Sequence, residues 1–303
     1  MSVAQLEAAE VTLEASQGGR WSEAWRRLRR NPSAIIGFVL VSLFILVAIF
    51  APLIAPHDPN GQDLNAVIEG CPCGPSSAHW LGVDTLGRDE LSRILYGARL
   101  SLLIGIVAVS VGLSIGIVLG SIAGFFGGWV DTLLMRFVDI MLAIPGFLMA
   151  IGIVALLGAG LFQVMIAIGV VNIPIFTRLL RGSVLAQREN DFVLAARSVG
   201  VKRTHILASH VLPNAISPVI VQGTLALATA IIDAAGLGFL GLGPQDPSTP
   251  EWGNMLTSTV RYLQTAPFLA IFPGVAIVIS VLGFNLIGDG LREALDPKLR
   301  GRA

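Results

Sequence analysis

Six long apolar stretches restrict the fold of this chain more than any other feature of its sequence. They lie at about 34–54, 100–126, 131–157, 160–180, 215–242 and 266–288. A helix needs about 20 apolar residues to cross the roughly 30 Å of hydrocarbon in a bilayer. Because each stretch is close to that length or longer, the sequence predicts an all-α membrane protein with six transmembrane helices.

The composition excludes the other broad classes of protein. Hydrophobic residues make up 54% of the chain and charged residues only 13%, and the mean hydropathy is +0.76. Soluble domains carry about 25% charged residues, so this chain lacks the polar surface that a soluble domain needs. Two cysteines are too few for a disulfide scaffold, and a formal net charge of +0 gives no indication of nucleic-acid binding.

The basic residues predict the orientation of the spans. If the amino terminus lies in the cytoplasm and six spans alternate, only Arg88, Arg93, Arg99 and Arg261 of the 20 basic residues fall outside. The positive-inside rule therefore predicts that both termini are cytoplasmic. The predicted parts are a cytoplasmic segment at 1–33, a first span at 34–54, an external loop at 55–99, a five-helix core at 100–290 with a cytoplasmic loop at 181–214, and a cytoplasmic tail at 291–303.

The cytoplasmic loop at 181–214 is neither apolar nor rich in Gly and Pro, which favours short helices at the membrane surface. Asn190 or Asp191 can cap a first helix, and Gly200 can end it in a left-handed turn. Thr204 can cap a second helix. The small side chains of residues 195 and 196 suit docking into a groove of another protein, but an ordinary amphipathic connector has the same spacing.

The loop resembles a known motif. Ala195-Ala196, three residues, Gly200, nine residues and then HVLP at 210–213 are similar to the EAA loop of ABC importer permeases. In that family the loop forms a coupling helix in a cleft of the ATP-binding subunit. Leu194 replaces the usual glutamate, which peptide-type permeases commonly lack. The resemblance assigns coupling to Asp191, Ala195, Ala196, Arg197, Gly200, His210, Leu212 and Pro213.

Further motifs resemble one branch of this family. They are HWLGVDTLGRD at 79–89, YGARLSL at 96–102, FLGLG at 239–243, WGNM at 252–255, FNLIGDGLR at 284–292 and LDPK at 295–298. Together they are similar to the C-type permease of dipeptide, oligopeptide, glutathione or nickel importers. The resemblance implies a MetI-like permease core with an added N-terminal helix, in a bacterial-type inner membrane.

The resemblance also implies partners. They are a second permease subunit, two ABC ATPase subunits and an extracytoplasmic substrate-binding protein. The sequence contains no G-x-x-x-x-G-K-[ST] phosphate loop, so ATP and Mg²⁺ are expected on the partner subunits and no cofactor or catalytic residue on this chain. A non-ATPase subunit that imports di- or oligopeptides is the predicted function, and nickel or glutathione is the alternative cargo.

Two carboxylates lie within apolar stretches, where charge is costly and often functional. Asp233 is predicted to face the translocation cavity and to meet a cationic group, although a partnered structural carboxylate is an alternative. Asp139 is predicted to pair with Arg136, one helical turn away. A lone midplane carboxylate also leaves an ion-coupled secondary transporter as a rival, but such proteins carry internal repeats and no clear repeat is present.

The remaining features are assigned no transport role. Cys71 and Cys73 are predicted to be a local loop feature, and His57 and His79 are treated as scattered, so no metal site is assigned. Glycines recur at four-residue spacing in the second apolar stretch, which allows close approach of helices. That approach could serve packing within the chain or a subunit interface. These glycines are Gly112, Gly116, Gly120 and Gly124.

Overall fold

The structure is a computed structural model that describes residues 20–68, 71–72 and 74–295. The expectations for residues 1–19, for Cys73 and for the tail beyond residue 295 lie outside this part of the chain. The helices are α1 (Arg20–Leu28), α2 (Pro32–Ile54), α3 (Glu90–Phe126), α4 (Gly128–Ala143), α5 (Gly146–Leu157), α6 (Leu161–Arg188), α7 (Asp191–Ser198), α8 (Arg203–Ile206), α9 (Leu212–Ala215), α10 (Ser217–Phe239), α11 (Trp252–Thr259) and α12 (Phe268–Leu295).

A small hairpin interrupts this helical fold. Strands β1 (Val67–Ile68) and β2 (Cys71–Pro72) pair antiparallel in the loop between α2 and α3. A 3₁₀ turn at Leu64–Ala66 precedes the hairpin. Because each strand has only two residues, the hairpin does not alter the all-α class that the sequence predicts.

Capping residues explain where the first two spans begin. The Asn31 side chain accepts a hydrogen bond from the Ala34 amide, and Pro32 takes the first helical position of α2, where a missing N–H costs nothing. The Asp89 side chain caps α3 in the same way, and the helix begins at Glu90, ten residues before the predicted start of that stretch. At 1.5 Å per residue, α3 is roughly 55 Å long and extends beyond the hydrocarbon.

The third apolar stretch is not a single helix. α4 and α5 meet at an angle of 91°, so the stretch that was predicted to span the membrane at 131–157 is a bent pair of helices. Ile144 is extended because it precedes Pro145, and a residue before proline avoids the helical region. Counted over the described residues, five helices are long and apolar enough to cross a membrane, or six if this bent pair is one span.

The fourth stretch is longer than its hydropathy indicates. α6 continues to Arg188, with Pro174 inside the helix, whereas the predicted span ended at residue 180. The last two turns of α6 therefore belong to the segment that the sequence assigned to the cytoplasmic loop. They carry α6 directly into α7.

The glycine series on α3 packs against α6 within the chain. A Cβ atom added at Gly112 would lie 2.6 Å from the Asn172 Cβ, and one added at Gly120 would lie 2.7 Å from the Thr177 carbonyl oxygen. Such distances leave no room for a side chain. The buried residues at this contact include Phe176 and belong to the larger hydrophobic cluster. The sequence left two roles open for these glycines, packing within the chain or a subunit interface. This face of α3 packs within the chain.

The N-terminal span α2 packs against the C-terminal helix α12. A Cβ atom at Gly37 would lie 2.7 Å from the Ile287 amide nitrogen. The Phe44 ring contacts the rings of Trp252 and Phe284, with centroids 5.6 Å and 6.2 Å apart. The Asn31 side chain also donates a hydrogen bond to the Glu293 carboxylate. The added helix is thus part of the packed bundle.

Candidate functional site

The segment after α6 forms a compact set of short helices. α7 ends at Ser198, and Gly200, just after the C-cap residue, has a φ of +79°, the left-handed conformation that the sequence predicts. The Gly200 amide donates to the Arg197 carbonyl and the Val201 amide to the Ala196 carbonyl, at 3.0 Å and 3.1 Å. This pair of bonds is the Schellman motif. It holds α7 at a defined angle to the chain that follows.

The predicted caps of these helices are only partly correct. Asn190 occupies the N-cap position of α7, but its side chain makes no capping bond there. The prediction that Thr204 caps the second helix is wrong, because α8 begins at Arg203 after Lys202. A π-helical segment, Leu207–Val211, then joins α8 to α9. Pro213 explains the π turn, since a proline ring clashes with the carbonyl four residues earlier in a regular α-helix.

α7 has one buried face and one exposed face. Val193 and Ala196 are buried in the larger hydrophobic cluster, together with residues of α6, α8 and α10. On the exposed face, Leu194 is 53% exposed, and Val199, the C-cap residue that follows α7, is 78% exposed.

The predicted coupling residues divide between these faces. Ala195 and Ala196, which the sequence treated as one patch, differ in burial: Ala195 is exposed and Ala196 is buried. The exposed residues are Asp191, Ala195, Arg197, Gly200 and Pro213; Ala196 is buried, and His210 and Leu212 are partly buried. The His210 Nδ1 atom is buried and has no hydrogen-bond partner among the described residues.

Ion pairs between α4 and α6 were missed by the sequence analysis. Arg181 donates to both carboxylate oxygens of Asp131, through Nε and Nη2. Asp139 accepts from Arg178, so the prediction that it pairs with Arg136 is wrong. Spacing along one helix could not reveal a partner on the neighbouring helix. The only sequence feature that pointed to these ion pairs was the presence of arginines within the apolar pattern of α6.

Asp233 lies half-buried on α10. None of the described residues forms a hydrogen bond or an ion pair with its carboxylate. One turn further along α10, a Cβ atom at Gly236 would lie 2.9 Å from the Phe147 ring of α5. The broken pair α4–α5 therefore lies beside the turn of α10 that carries this carboxylate.

Two arginines of the 79–93 region hold loops together at the end of the bundle opposite α7. Arg88 donates through Nε to Asp84 at 2.7 Å and through Nη1 to the Pro247 carbonyl at 2.6 Å. Arg93 donates to the Pro59 carbonyl at 3.1 Å. These bonds join the loop between α2 and α3 to the start of α3 and to the loop between α10 and α11, beside a cavity of about 300 Å³. Glu90 lines this cavity, and its buried Oε1 atom has no partner among the described residues.

Two histidines of this end are closer than the sequence indicated. The rings of His57 and His79 lie 4.7 Å apart, centroid to centroid, so treating them as scattered was wrong. Both rings face the Asp89 carboxylate. The long loop between α2 and α3 brings them together, and no local sequence pattern marks that contact.

Comparison with known proteins identifies the family. A family model described as "Binding-protein-dependent transport system inner membrane component" matches residues 116–301, and a second, "N-terminal TM domain of oligopeptide transport permease C", matches residues 19–69. The chain belongs to this transport family. The resemblance to ABC importer permeases is thereby confirmed.

Similar proteins support the same branch. The chain is 50% identical over 280 residues to the dipeptide transport system permease protein DppC of Alkalihalophilus pseudofirmus, covering 92% of this chain and 90% of that protein. It is 48% identical over 285 residues to the glutathione transport system permease protein GsiD of Escherichia coli, covering 93% and 91%.

Solved structures confirm the fold of the permease core. An inward-facing structure of the MetNI methionine ABC transporter has a TM-score of 0.55 at 20% identity and covers 67% of this permease and 96% of that chain. A second crystal form gives a TM-score of 0.56. The MetI-like core that the sequence predicted is therefore present, with the N-terminal helix as an addition.

Proposed function

We propose that this permease carries di- or oligopeptides across the cytoplasmic membrane as one subunit of an ATP-driven importer. The observation that supports this cargo is the 50% identity to a dipeptide permease over 92% of the chain. The glutathione permease is almost as similar, and glutathione is itself a tripeptide. A peptide backbone with a free amino group is the chemistry that these cargoes share.

The proposed assembly contains this chain, a second permease, two ABC ATPases and an extracytoplasmic binding protein. ATP and Mg²⁺ are held by the ATPases and not by this chain. Both termini and α7 lie on the cytoplasmic side. The positive-inside distribution of basic residues supports this orientation.

α7 is proposed to transmit the ATPase movement to the spans. Its exposed face, with Leu194 and Val199, docks into the ATPase, while Val193 and Ala196 pack on the core. A protein interior is close-packed and transmits displacement rather than absorbing it. A shift of α7 therefore moves α6 and α10 together, because both contribute to the cluster beneath it.

ATP binding is proposed to select the state that opens toward the binding protein, and hydrolysis to restore the inward-facing state. A ligand shifts such an equilibrium only through different contacts in the two states. The α7 surface is where those contacts concentrate. The docking face of α7 is therefore the surface through which the ATPases control the conformation of the permease.

Asp233 is proposed to meet the cationic amino group of the peptide. Its half-buried carboxylate has no partner among the described residues. An unpaired charge at membrane depth is costly unless it faces a cavity or a ligand. The substrate then supplies the opposite charge during passage.

The test is ATP hydrolysis and peptide uptake in proteoliposomes, with this chain alone compared with the complete assembly. We expect both activities only in the assembly, with the binding protein and peptide stimulating hydrolysis. Uptake by the chain alone down an ion gradient would overturn the proposal and favour a secondary transporter. If only the assembly shows both activities, competition among dipeptides, glutathione and nickel identifies its preferred cargo.

A further inference from the structure

Three side chains from distant parts of the chain meet at the end of the bundle opposite α7. They are His57, His79 and Asp89. The His79 Nδ1 atom lies 2.9 Å from the Asp89 Oδ1 atom, and the His57 Nδ1 atom lies 3.5 Å from the same oxygen. One ligand atom from each residue lies within 4.8 Å of the other two. A single ion could contact all three after small side-chain movements.

The surrounding hydrogen bonds orient these groups. The other carboxylate oxygen of Asp89 accepts bonds from the Ser92 amide and hydroxyl, at 2.8 Å and 2.7 Å, which leaves Oδ1 for the imidazoles. The His79 Nε2 atom lies 3.5 Å from an Asp63 carboxylate oxygen. A carboxylate at the far nitrogen of a histidine is the usual support for a metal-binding imidazole, because it sets the tautomer.

Backbone contacts place the two histidines. The His57 amide donates to the Ser92 hydroxyl at 3.1 Å, and the His79 amide donates to the Ser76 hydroxyl at 3.0 Å. These bonds fix the main chain at both histidines, from which the two rings reach the Asp89 carboxylate.

The cluster is buried on the side of Asp89 and His79 and open to solvent on the side of His57. Asp89 is 1% exposed and His79 is mostly buried, whereas the His57 side chain is 41% exposed. Three protein ligands with one open position is the arrangement of Zn²⁺ sites that keep a water or an external ligand. An ion could enter from solvent beside His57.

Helix capping alone does not explain the cluster. Asp89 caps α3 through Ser92, and one imidazole is enough to satisfy its other oxygen. A second, half-exposed imidazole adds little as an ion pair. Two imidazoles and one carboxylate are, however, a ligand set that Zn²⁺ and similar ions prefer.

We propose that His57, His79 and Asp89 form a binding site for a divalent transition-metal ion of the Zn²⁺ class. Nδ1 of each histidine and Oδ1 of Asp89 are the ligands, and the fourth position is open to solvent. The ion would join the chain after α2, the 79–89 segment and the start of α3. It would therefore stabilise the loops around the cavity at that end of the permease.

The experiment is a Zn²⁺ titration of the full chain in detergent after chelator treatment, by calorimetry and by the visible absorption of Co²⁺ as a replacement ion. All variants carry Cys71→Ser and Cys73→Ser, so that the thiols cannot bind the ion. We expect one equivalent of Zn²⁺ and a melting temperature that rises when Zn²⁺ is added.

His57→Ala is the decisive variant, because this side chain is half-exposed and caps no helix. We expect it to lower Zn²⁺ affinity at least tenfold and to abolish the rise in melting temperature, with the metal-free melting temperature unchanged. His205→Ala removes an imidazole at the α7 end and is the matched control, with Zn²⁺ binding retained. Unchanged affinity in His57→Ala, or no saturable binding in the parent chain, would overturn the proposal.

Discussion

Gly200 is the residue whose backbone conformation sets the angle between α7 and the chain after it. No atom lies within 4 Å of a Cβ added there, so space is not the constraint. The constraint is the φ of +79°, because a left-handed conformation costs a residue with a Cβ roughly 1–2 kcal/mol. We expect Gly200→Val to fold and insert but to lose peptide uptake and peptide-stimulated ATP hydrolysis in the assembled transporter.

The matched control for Gly200 is Gly200→Asn, since asparagine tolerates the left-handed region better than other residues with a Cβ. Uptake should be largely retained in this variant. Normal stimulated hydrolysis in Gly200→Val would count against the docking role of α7. Both variants are compared in the same proteoliposomes, at matched assembly yields.

Asp233 offers a second test at the residue scale. We expect Asp233→Asn to reduce uptake of peptides with a free amino terminus at least tenfold, because the proposed ionic contact is lost while the side-chain shape is kept. Assembly with the partner subunits should be unchanged. Asp246→Asn, in the exposed loop after α10, is the control and should transport normally. Equal uptake in both variants would exclude a substrate contact for Asp233.

Glu251 predicts a pH dependence of stability. Its side chain is buried and accepts hydrogen bonds from the Gly253 and Asn254 amides, at 2.9 Å and 2.8 Å. Burial raises the pKa of Glu251 above its ordinary value of 4.5, although the two bonds oppose this. The folded state therefore binds the proton more tightly than the unfolded state. The resulting stability is greatest below pH 4.5 and is lost as the pH rises through the folded pKa.

Melting temperatures across this pH range test the effect. We expect Glu251→Gln to gain stability relative to the parent chain as the pH rises, because the variant has no charge to bury. Glu189→Gln, at an exposed position, should show a constant difference. A constant difference for Glu251→Gln as well would show that the Glu251 carboxyl has the same pKa in both states.

At the scale of elements, the contact between α3 and α6 depends on missing side chains. Gly116 lies against Phe176 and Thr177, and a Cβ there would meet the Thr177 amide at 3.1 Å. We expect Gly116→Leu to separate the helices and to destabilise the permease by about 1–3 kcal/mol or more. Gly152→Leu is the control, because nothing lies within 4 Å of its Cβ position.

Thermal unfolding in detergent, followed by loss of monodisperse protein, measures this effect. The melting temperature of Gly116→Leu should fall well below that of Gly152→Leu. If the two variants melted together, α3 and α6 would not be packed as closely as the structure shows. The broken pair α4–α5 belongs to the same scale, since Arg178 and Arg181 of α6 form ion pairs with Asp139 and Asp131 of α4.

At the scale of the whole molecule, each end of the bundle exposes an apolar side chain that can be changed to test which end binds the ATPases. Val199 on the α7 end is 78% exposed and Leu64 in the loop at the other end is 71% exposed. We expect Val199→Asp to lose co-purification of the ATPase subunits, because a charge would enter the proposed interface. Leu64→Asp makes the same change at the opposite end and should keep the ATPases bound. Retention in both variants would remove α7 from the docking surface.

Local patterns in the sequence were enough to determine several features. The apolar stretches predicted the helices because burial in lipid depends on composition and length alone. Gly200 predicted the left-handed end of α7 because the preference belongs to one residue. The motifs along the chain predicted the family, because residue types and their order can be matched without knowing any contact in the structure.

Contacts between distant residues were decided only by the tertiary structure. The sequence paired Asp139 with Arg136, but α6 brings Arg178 to it. It offered no sign that the His57 and His79 rings meet. Pro145 marks the place where α4 ends, but it does not set the angle of 91° between α4 and α5. Each of these depends on which elements pack side by side. That packing is settled by the summed burial of the whole bundle, which no local pattern contains.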